Sequence, residues 1–339
     1  MKKNKQNNFN LQSGKNNLYI ANKKNSNISN ILTVLIIFAF IFLIMFNINS
    51  SIVSVKNTLI LWVNNIVPVL FPFMFLTSLL SLTNGLSFLI NTFGLGCEKI
   101  FKSHRIGGYI LIMSVLCGYP MGATLTGEYI NKGVITSEQG NKILTFCACS
   151  GPLFIIGTVG VCFFNNYLIG IKIFIFHLIS SLLCGLVLRN FLKCPKSNQN
   201  ISFYHSDNVL YEAMSKAVTN ILIVGGYIVI FSIVKDLLFQ IQFVDNLLNN
   251  LSQLFNIDYN LLKALISGLI EITSGLKSLS LLTLSQKAII TLASCIISFG
   301  GICVTMQSLA VCKINKKVFI LSKFLQVIIN LILCLIFIK

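Results

Sequence analysis

Residues 145–160 read TFCACSGPLFIIGTVG, an apolar stretch interrupted at its centre by Ser150-Gly151-Pro152. Gly and Pro are the poorest residues for a helix interior, Pro because it lacks an N–H and its ring strikes the preceding turn. The same arrangement returns at 285–311, where Ser298-Phe299-Gly300-Gly301 interrupts a second apolar run. Thirteen residues separate Ser137 from Ser150, and thirteen separate Ser285 from Ser298. Each segment begins on a residue suited to cap a helix N-terminus: Thr136 or Ser137 in the first, Ser285 in the second. Upstream of each lies an apolar run with a weak spot of its own. These are Cys117-Gly118-Tyr119-Pro120 and Glu271-Ile272-Thr273-Ser274-Gly275. The order span, broken span, broken hairpin, span therefore occurs twice, at an offset of about 148 residues.

Composition places these breaks in a membrane. Apolar residues make up 55% of the 339-residue chain, charged residues 10%, and the mean hydropathy is +0.82. A soluble domain carries roughly a quarter charged residues. Several windows exceed the ~18 apolar residues of a spanning helix. The formal net charge of +17 lies mostly between apolar segments, as in the cytoplasmic loops of membrane proteins, so it does not point to nucleic acid. Eleven Cys are scattered through apolar stretches as small hydrophobes, with no disulfide framework. Cys147-x-Cys149 is too closely spaced for a zinc knuckle. No HExxH, G-x-S-x-G or intramembrane acidic pair is present, so neither an enzyme nor a cofactor is expected. The sequence leaves oligomeric state open.

The expected organisation is a polar, basic tail over 1–30 and an anchor helix over 31–48. Two repeats follow, over 52–190 and 209–338. Spans are expected near 57–81, 106–131, 167–189, 217–238, 259–283 and 317–338. The segments 137–164 and 285–311 are expected to dip in and return on one side. That choice keeps the tail, Lys99, Lys102, Arg105, Arg189, Lys193, Lys277, Lys287, Lys313, Lys316 and Lys317 inside. Lys56, Lys132, Lys142, Lys172, Lys235 and Lys263 fall outside, and Lys323 lies within a span. Three crossings per repeat then make the halves run in opposite directions. The fold class is an all-α polytopic membrane protein, an inverted-repeat transporter-like bundle with two broken re-entrant helical hairpins.

Irregular backbone at membrane depth is tolerated only where protein or a water-filled cavity satisfies it. A broken helix exposes N–H groups at one half-helix end, which attract anions, and C=O groups at the other. Two breaks meeting near the midplane would form a substrate site. The candidate residues are Gly118, Tyr119, Pro120, Ser150, Gly151, Pro152, Glu271, Thr273, Gly275, Ser298, Gly300, Gly301 and Gln307. Packing glycines are the structural alternative. Glu271, alone among apolar residues, reads as a coupling-ion or substrate group, or as a helix-end carboxylate near Lys277. Coupling to H⁺ or Na⁺ stays open. Glu128 reads as solvated. His177 reads as hydrogen-bonded to a neighbouring helix, with proton shuttling as the alternative. Trp62 reads as an interfacial, lipid-facing residue.

Six blocks from about residue 52 to 338 carry a resemblance. They are LWVNNIVPVLFPFMFL (61–76), LCGYPMGA (116–123), CACSGPLFIIGTVG (147–160), ILIVGGYIVIFSIV (221–234), LIEITSG (269–275) and ISFGGICVTMQS (297–308). Together they resemble the YlbJ-type sporulation integral membrane proteins of the nucleoside-recognition (Gate) domain group. The resemblance implies a role in spore formation, associated with moving dipicolinic acid from the mother cell toward the forespore. It implies the mother-cell-derived outer forespore membrane as the location. Gate relatives are similar to concentrative nucleoside transporters, which use broken hairpins in inverted repeats. The chain departs from the pattern at Ala148 and Thr305, where Asn and His are expected. Dipicolinate, a small flat dianion, suits half-helix N-termini, with Tyr119 stacking on its ring. An ion-coupled nucleoside transporter and a non-transporting spore-envelope scaffold are the alternatives.

Overall fold

A computed structural model describes residues 30–83, 85–195 and 208–338; the polar tail lies almost wholly outside them. Among the described residues every regular element is helical. Contacts divide the chain into two units, Met1–Val53 and Ser54–Lys339. The first contains α1 (Asn30–Phe46), a short apolar helix where the anchor is expected. The second contains the repeated architecture.

In that unit the order of elements occurs twice. The first series opens with a long helix ending at Ser81, made of α2 (Ile48–Leu61), a π-wound turn (Trp62–Ile66) and α3 (Val67–Ser81). It continues with α4 (Gly85–Phe101), α5 (Ile106–Cys117), α6 (Met121–Asn131), α7 (Ser137–Cys147), a π-wound helix (Leu153–Phe163) and α8 (Tyr167–Leu188). The second runs α9 (Val209–Gln240), α10 (Gln242–Phe255), α11 (Tyr259–Ile270), α12 (Ile272–Ser280), α13 (Gln286–Phe299), α14 (Gly301–Val311) and α15 (Lys316–Phe337). Among the described residues, five helices are long and apolar enough to cross a membrane: Ile48–Ser81, α8, α9, the joined Gln286–Val311, and α15. A 22-residue helix is about 33 Å long, enough for a hydrocarbon core of about 30 Å.

The contacts between series also come in pairs. Helix α3 packs on its counterpart α9, and α8 on its counterpart α15. Helix α6 packs on α14, while α12 packs on the Leu153–Phe163 helix. In element order, each of these contacts joins parts at matching places in the two series. The expected N-caps are present. Thr136 forms a capping box with Gln139, and the Ser285 hydroxyl accepts from Ala288 N–H at 3.2 Å.

Which broken segment folds back is the reverse of the sequence expectation. Helices α5 and α6 are the arms of a hairpin with its tip at Gly118–Pro120. A Cβ on Gly122 would lie 2.5 Å from Ser114 Oγ, and the Tyr109 and Tyr129 rings meet edge to face at 6.2 Å. Helices α11 and α12 do the same with Glu271 at the tip, since a Cβ on Gly275 would lie 2.2 Å from Gly268 Cα. The segments expected to re-enter instead run through. Gln139 Nε2 donates to Pro195 O (2.6 Å), Lys142 Nζ to Leu192 O (2.9 Å) and Ser181 Oγ to Phe146 O (3.1 Å). Gly160 lies against Gly170, so 137–163 runs antiparallel to α8 throughout. Gln286–Val311 runs likewise along α15, through Ser294–Asn330 (2.9 Å), Ser298–Asn330 (2.7 Å) and the Phe299 and Phe324 rings.

The physical reason is length and close approach. The hairpin arms have 9 to 12 residues each, about 14–18 Å, too short to cross alone. Small residues at facing positions let the arms touch. Charge sidedness changes accordingly. Ser137 Oγ donates to Lys313 O (2.7 Å), and Lys102 Nζ to Asn190 Oδ1 (2.7 Å). Lys132 and Lys142 therefore share an end with Arg189, Lys193 and Lys313. Lys277, over the Phe163 ring at 5.5 Å, sits at the other end. The expected result of membrane-impermeant thiol labelling is that Lys132→Cys and Asn165→Cys react from opposite faces, and Arg105→Cys from the face of Lys132→Cys. Labelling of positions 132 and 165 from one face would restore the re-entrant 137–164 segment.

Candidate functional site

The two hairpin tips and the first helix break converge on one pocket, and α14, just past the second break, completes its wall. From the first half, Gly118, Tyr119, Ser150 and Gly151 line it; from the second, Glu271, Thr273 and Gln307. Apolar walls come from Ile66 and Leu70 on the first long helix and Val224 and Ile228 on α9. Ile66 belongs to the π-wound turn, whose Asn65 carbonyl accepts from Thr158 Oγ1 at 3.1 Å. Wide turns of this kind recur at functional sites.

Each tip is seated against the break of its own half. Gly118 has φ 77° and ψ −161°, and a Cβ there would lie 2.4 Å from Gly151 N. A Cβ on Gly301 (φ +65°) would lie 3.1 Å from Gly268 O and 3.4 Å from Ile270 O. Tyr119 reaches across to the other half, its hydroxyl 3.4 Å from Ile297 O.

The remaining sequence candidates stand behind the pocket surface. Pro120 and Pro152 sit at the N-caps of α6 and the Leu153–Phe163 helix, and Gly300 at that of α14; none of these ends has a side-chain cap. Gly275 packs on Gly268 and does not line the pocket, so its role is close approach. Gln307 Nε2 contacts Cys303 Sγ at 3.3 Å.

Glu271 is 2% exposed, and its two oxygens accept from Thr273 N–H (2.8 Å) and Ser274 N–H (2.6 Å). It caps α12. The N-terminus of that half-helix is thus filled by the protein's own carboxylate, not left open to an anion as the sequence expectation had it. The N-termini of α6, the Leu153–Phe163 helix and α14 carry no side-chain cap, and that of α14 lies against the carbonyl end of α11.

Behind the pocket a buried polar chain ties the halves together. The Ser150 backbone N–H donates to His177 Nε2 at 2.9 Å. A backbone amide only donates, so Nε2 is unprotonated and the proton is on Nδ1, 3.0 Å from Ser298 Oγ. The imidazole is neutral and bridges the two breaks. Ser298 also accepts from Asn330 Nδ2 (2.7 Å). His177 is thus the interhelical hydrogen-bonding residue expected. Glu128 pairs with Lys132 (2.6 Å) at the bundle end. Trp62 departs from expectation, its indole lying against Gly225 of α9.

One buried ionisable residue at the site is not among the sequence candidates. Lys323 on α15 is 3% exposed, and its ammonium donates to Tyr119 Oη (2.9 Å), Gln326 Oε1 (3.1 Å) and the Ala148 carbonyl. It also lies 4.9 Å from the Tyr119 ring centroid. The signal was present: a lone ionisable residue inside a span is a functional candidate by default.

No family model matches the chain, and no solved structure matches it. It is 30% identical over 336 residues to the sporulation integral membrane protein YlbJ of Bacillus subtilis (strain 168), covering 88% of this chain and 81% of that protein. With a relative this similar over this much of both, the chain belongs to the YlbJ family of sporulation integral membrane proteins.

Proposed function

We propose that the chain is a carrier for a small organic anion, dipicolinate by preference, working by alternating access during spore formation. The observation that carries this reading is a pocket built from both halves, where the two hairpin tips meet the first helix break and α14. On this reading each half has three through-going segments and one hairpin, an odd number of crossings. The halves therefore run oppositely, as in carriers whose site lies near the midplane. The contact of Ser137, at the start of one broken helix, with Lys313, just past the end of the other, supports the same inversion.

The uncapped N-termini of α6 and the Leu153–Phe163 helix, which follow the pocket-lining Tyr119 and Gly151, supply N–H donors for carboxylates without a bulky side chain. Tyr119 presents a ring face to a planar cargo and carries the Lys323 ammonium on its hydroxyl. The positive-inside rule sets the end bearing Lys102, Arg105, Lys132, Arg189, Lys313, Lys316 and Lys317 in the mother-cell cytoplasm. The carrier then faces the forespore across the outer forespore membrane. Accumulation of labelled dipicolinate, with labelled nucleosides in parallel, tests the reading in vesicles containing the protein. Dipicolinate uptake above empty vesicles is expected. Nucleoside uptake alone moves the cargo to nucleosides, and uptake of neither makes the protein a scaffold.

A further inference from the structure

Lys323 sits between two cavities. Through Tyr119 it touches the central pocket, which Tyr119 lines. On its other side it lies at the floor of a groove between α14 and α15, walled by Ile302, Thr305, Met306, Leu309, Ile320 and Phe324. That groove reaches Lys316 at the basic end of the bundle. An ammonium has three N–H donors, and here it has three oxygen acceptors, all neutral.

The titratable groups around it are Tyr119 on the hairpin tip, Cys149 in the break, and His177 and Cys184 on α8, with Tyr227 of α9 lining the groove. None is a carboxylate, and His177 is held neutral by the Ser150 amide. A buried cation without a counter-charge is costly. The missing negative charge has a place to come from: the pocket one side chain away.

We propose that Lys323 is the proton-carrying group of the carrier, its ammonium and the dicarboxylate cargo being occluded together, and that its proton leaves on the side to which the cargo is released. The proposal rests on the reading of the chain as an anion carrier. The step is a simple ionisation: the Lys323 ammonium gives one proton to water as the cargo is released and becomes an amine, with no other bond changed. Coupling follows from linkage. A cargo anion favours the ammonium over the amine, so the protonated carrier must favour the cargo by the same factor. Affinity therefore rises as pH falls.

Dipicolinate binding and uptake, measured in proteoliposomes from about pH 10 to about pH 6, test this, because the cargo keeps its charge there while lysine begins to lose its own near 10.4. The wild-type protein is expected to bind more tightly at the acid end and to accumulate cargo with a co-directed proton gradient. One proton, read with a pH dye, should enter per cargo. Lys323→Arg, which stays charged throughout, is expected to flatten the pH profile. Lys323→Met is expected to weaken binding at low pH and to remove its pH dependence. Should both variants fail to reach the membrane, the wild-type proton count decides alone. Uptake indifferent to the proton gradient, or an unchanged profile in Lys323→Arg, would overturn the proposal and leave the cargo assignment standing. Absence of dipicolinate uptake would overturn both.

Discussion

Glu271→Ala is expected to lower dipicolinate uptake by at least ~100-fold at unchanged membrane level. The carboxylate accepts two backbone N–H groups at the tip of the second hairpin, at 2.8 and 2.6 Å, and is almost fully buried. A hydrogen bond to a charged group is worth about 1.5–3 kcal/mol, so removing two costs about 3 kcal/mol or more, the equivalent of that factor of 100. The loss falls on the tip because α11 and α12 meet nowhere else but along their own arms and at Glu271. Two further variants separate the cap from a direct cargo contact. Glu271→Asp keeps a carboxylate in the residue type favoured at N-caps and is expected to retain much of the uptake. Glu271→Gln keeps the size, but its amide turns a donor toward one of the two N–H groups, so it should fall near alanine. Hydrogen exchange over residues 268–276 should quicken in the order Asp, Gln, Ala. Wild-type uptake by Glu271→Ala would show that this cap is dispensable.

The breaks themselves were legible because they are local. Ser150-Gly151-Pro152 and the Gly300-Gly301 pair interrupt helices whatever surrounds them, and the caps at Thr136 and Ser285 need only three residues of sequence. The repeat was legible for the same reason. What the sequence did not disclose was which break turns the chain back. A hairpin at Glu271 requires Gly275 to meet Gly268, and the one at Gly118–Pro120 requires Gly122 to meet Ser114. Such facing pairs look like ordinary small residues until the arms are known to be antiparallel. Segment length held the better clue: 27 residues from Ser137 to Phe163 match a crossing, whereas arms of 9 to 12 do not.

Lys323 was obscured differently. Its meaning comes from Ala148 and Tyr119, each about 200 residues away along the chain, and a single lysine near the C-terminal end of an apolar chain looks like sidedness. Ala148 stands where the family resemblance leads one to expect Asn, and its carbonyl is the one that takes the ammonium. Side chain identity at that position matters less to Lys323 than the exposed carbonyl of the break.

Gly118→Ala is expected to remove the folded protein from the membrane or leave it inert, and three glycines rank the causes. At Gly118, φ 77° with ψ −161° is a region open essentially to glycine alone, costing another residue of order 1–3 kcal/mol. The added Cβ would also lie 2.4 Å from Gly151 N, so the tip and the break must separate, and with them the two surfaces that form the pocket floor. Together the two effects reach a sizeable part of the 5–15 kcal/mol that holds a typical domain folded. Gly300→Ala isolates the backbone effect: φ is +85°, but the nearest atom to its Cβ is 3.7 Å away, so about 1–2 kcal/mol of strain is expected and the protein should persist. Gly226→Ala has nothing within 4 Å and should behave as wild type. Membrane level, thermal stability in detergent and uptake should therefore fall in the order Gly226→Ala, Gly300→Ala, Gly118→Ala. Equal stability of Gly118→Ala and Gly226→Ala would mean that the first hairpin does not rest on the break at Gly151, and the pocket would lose its floor.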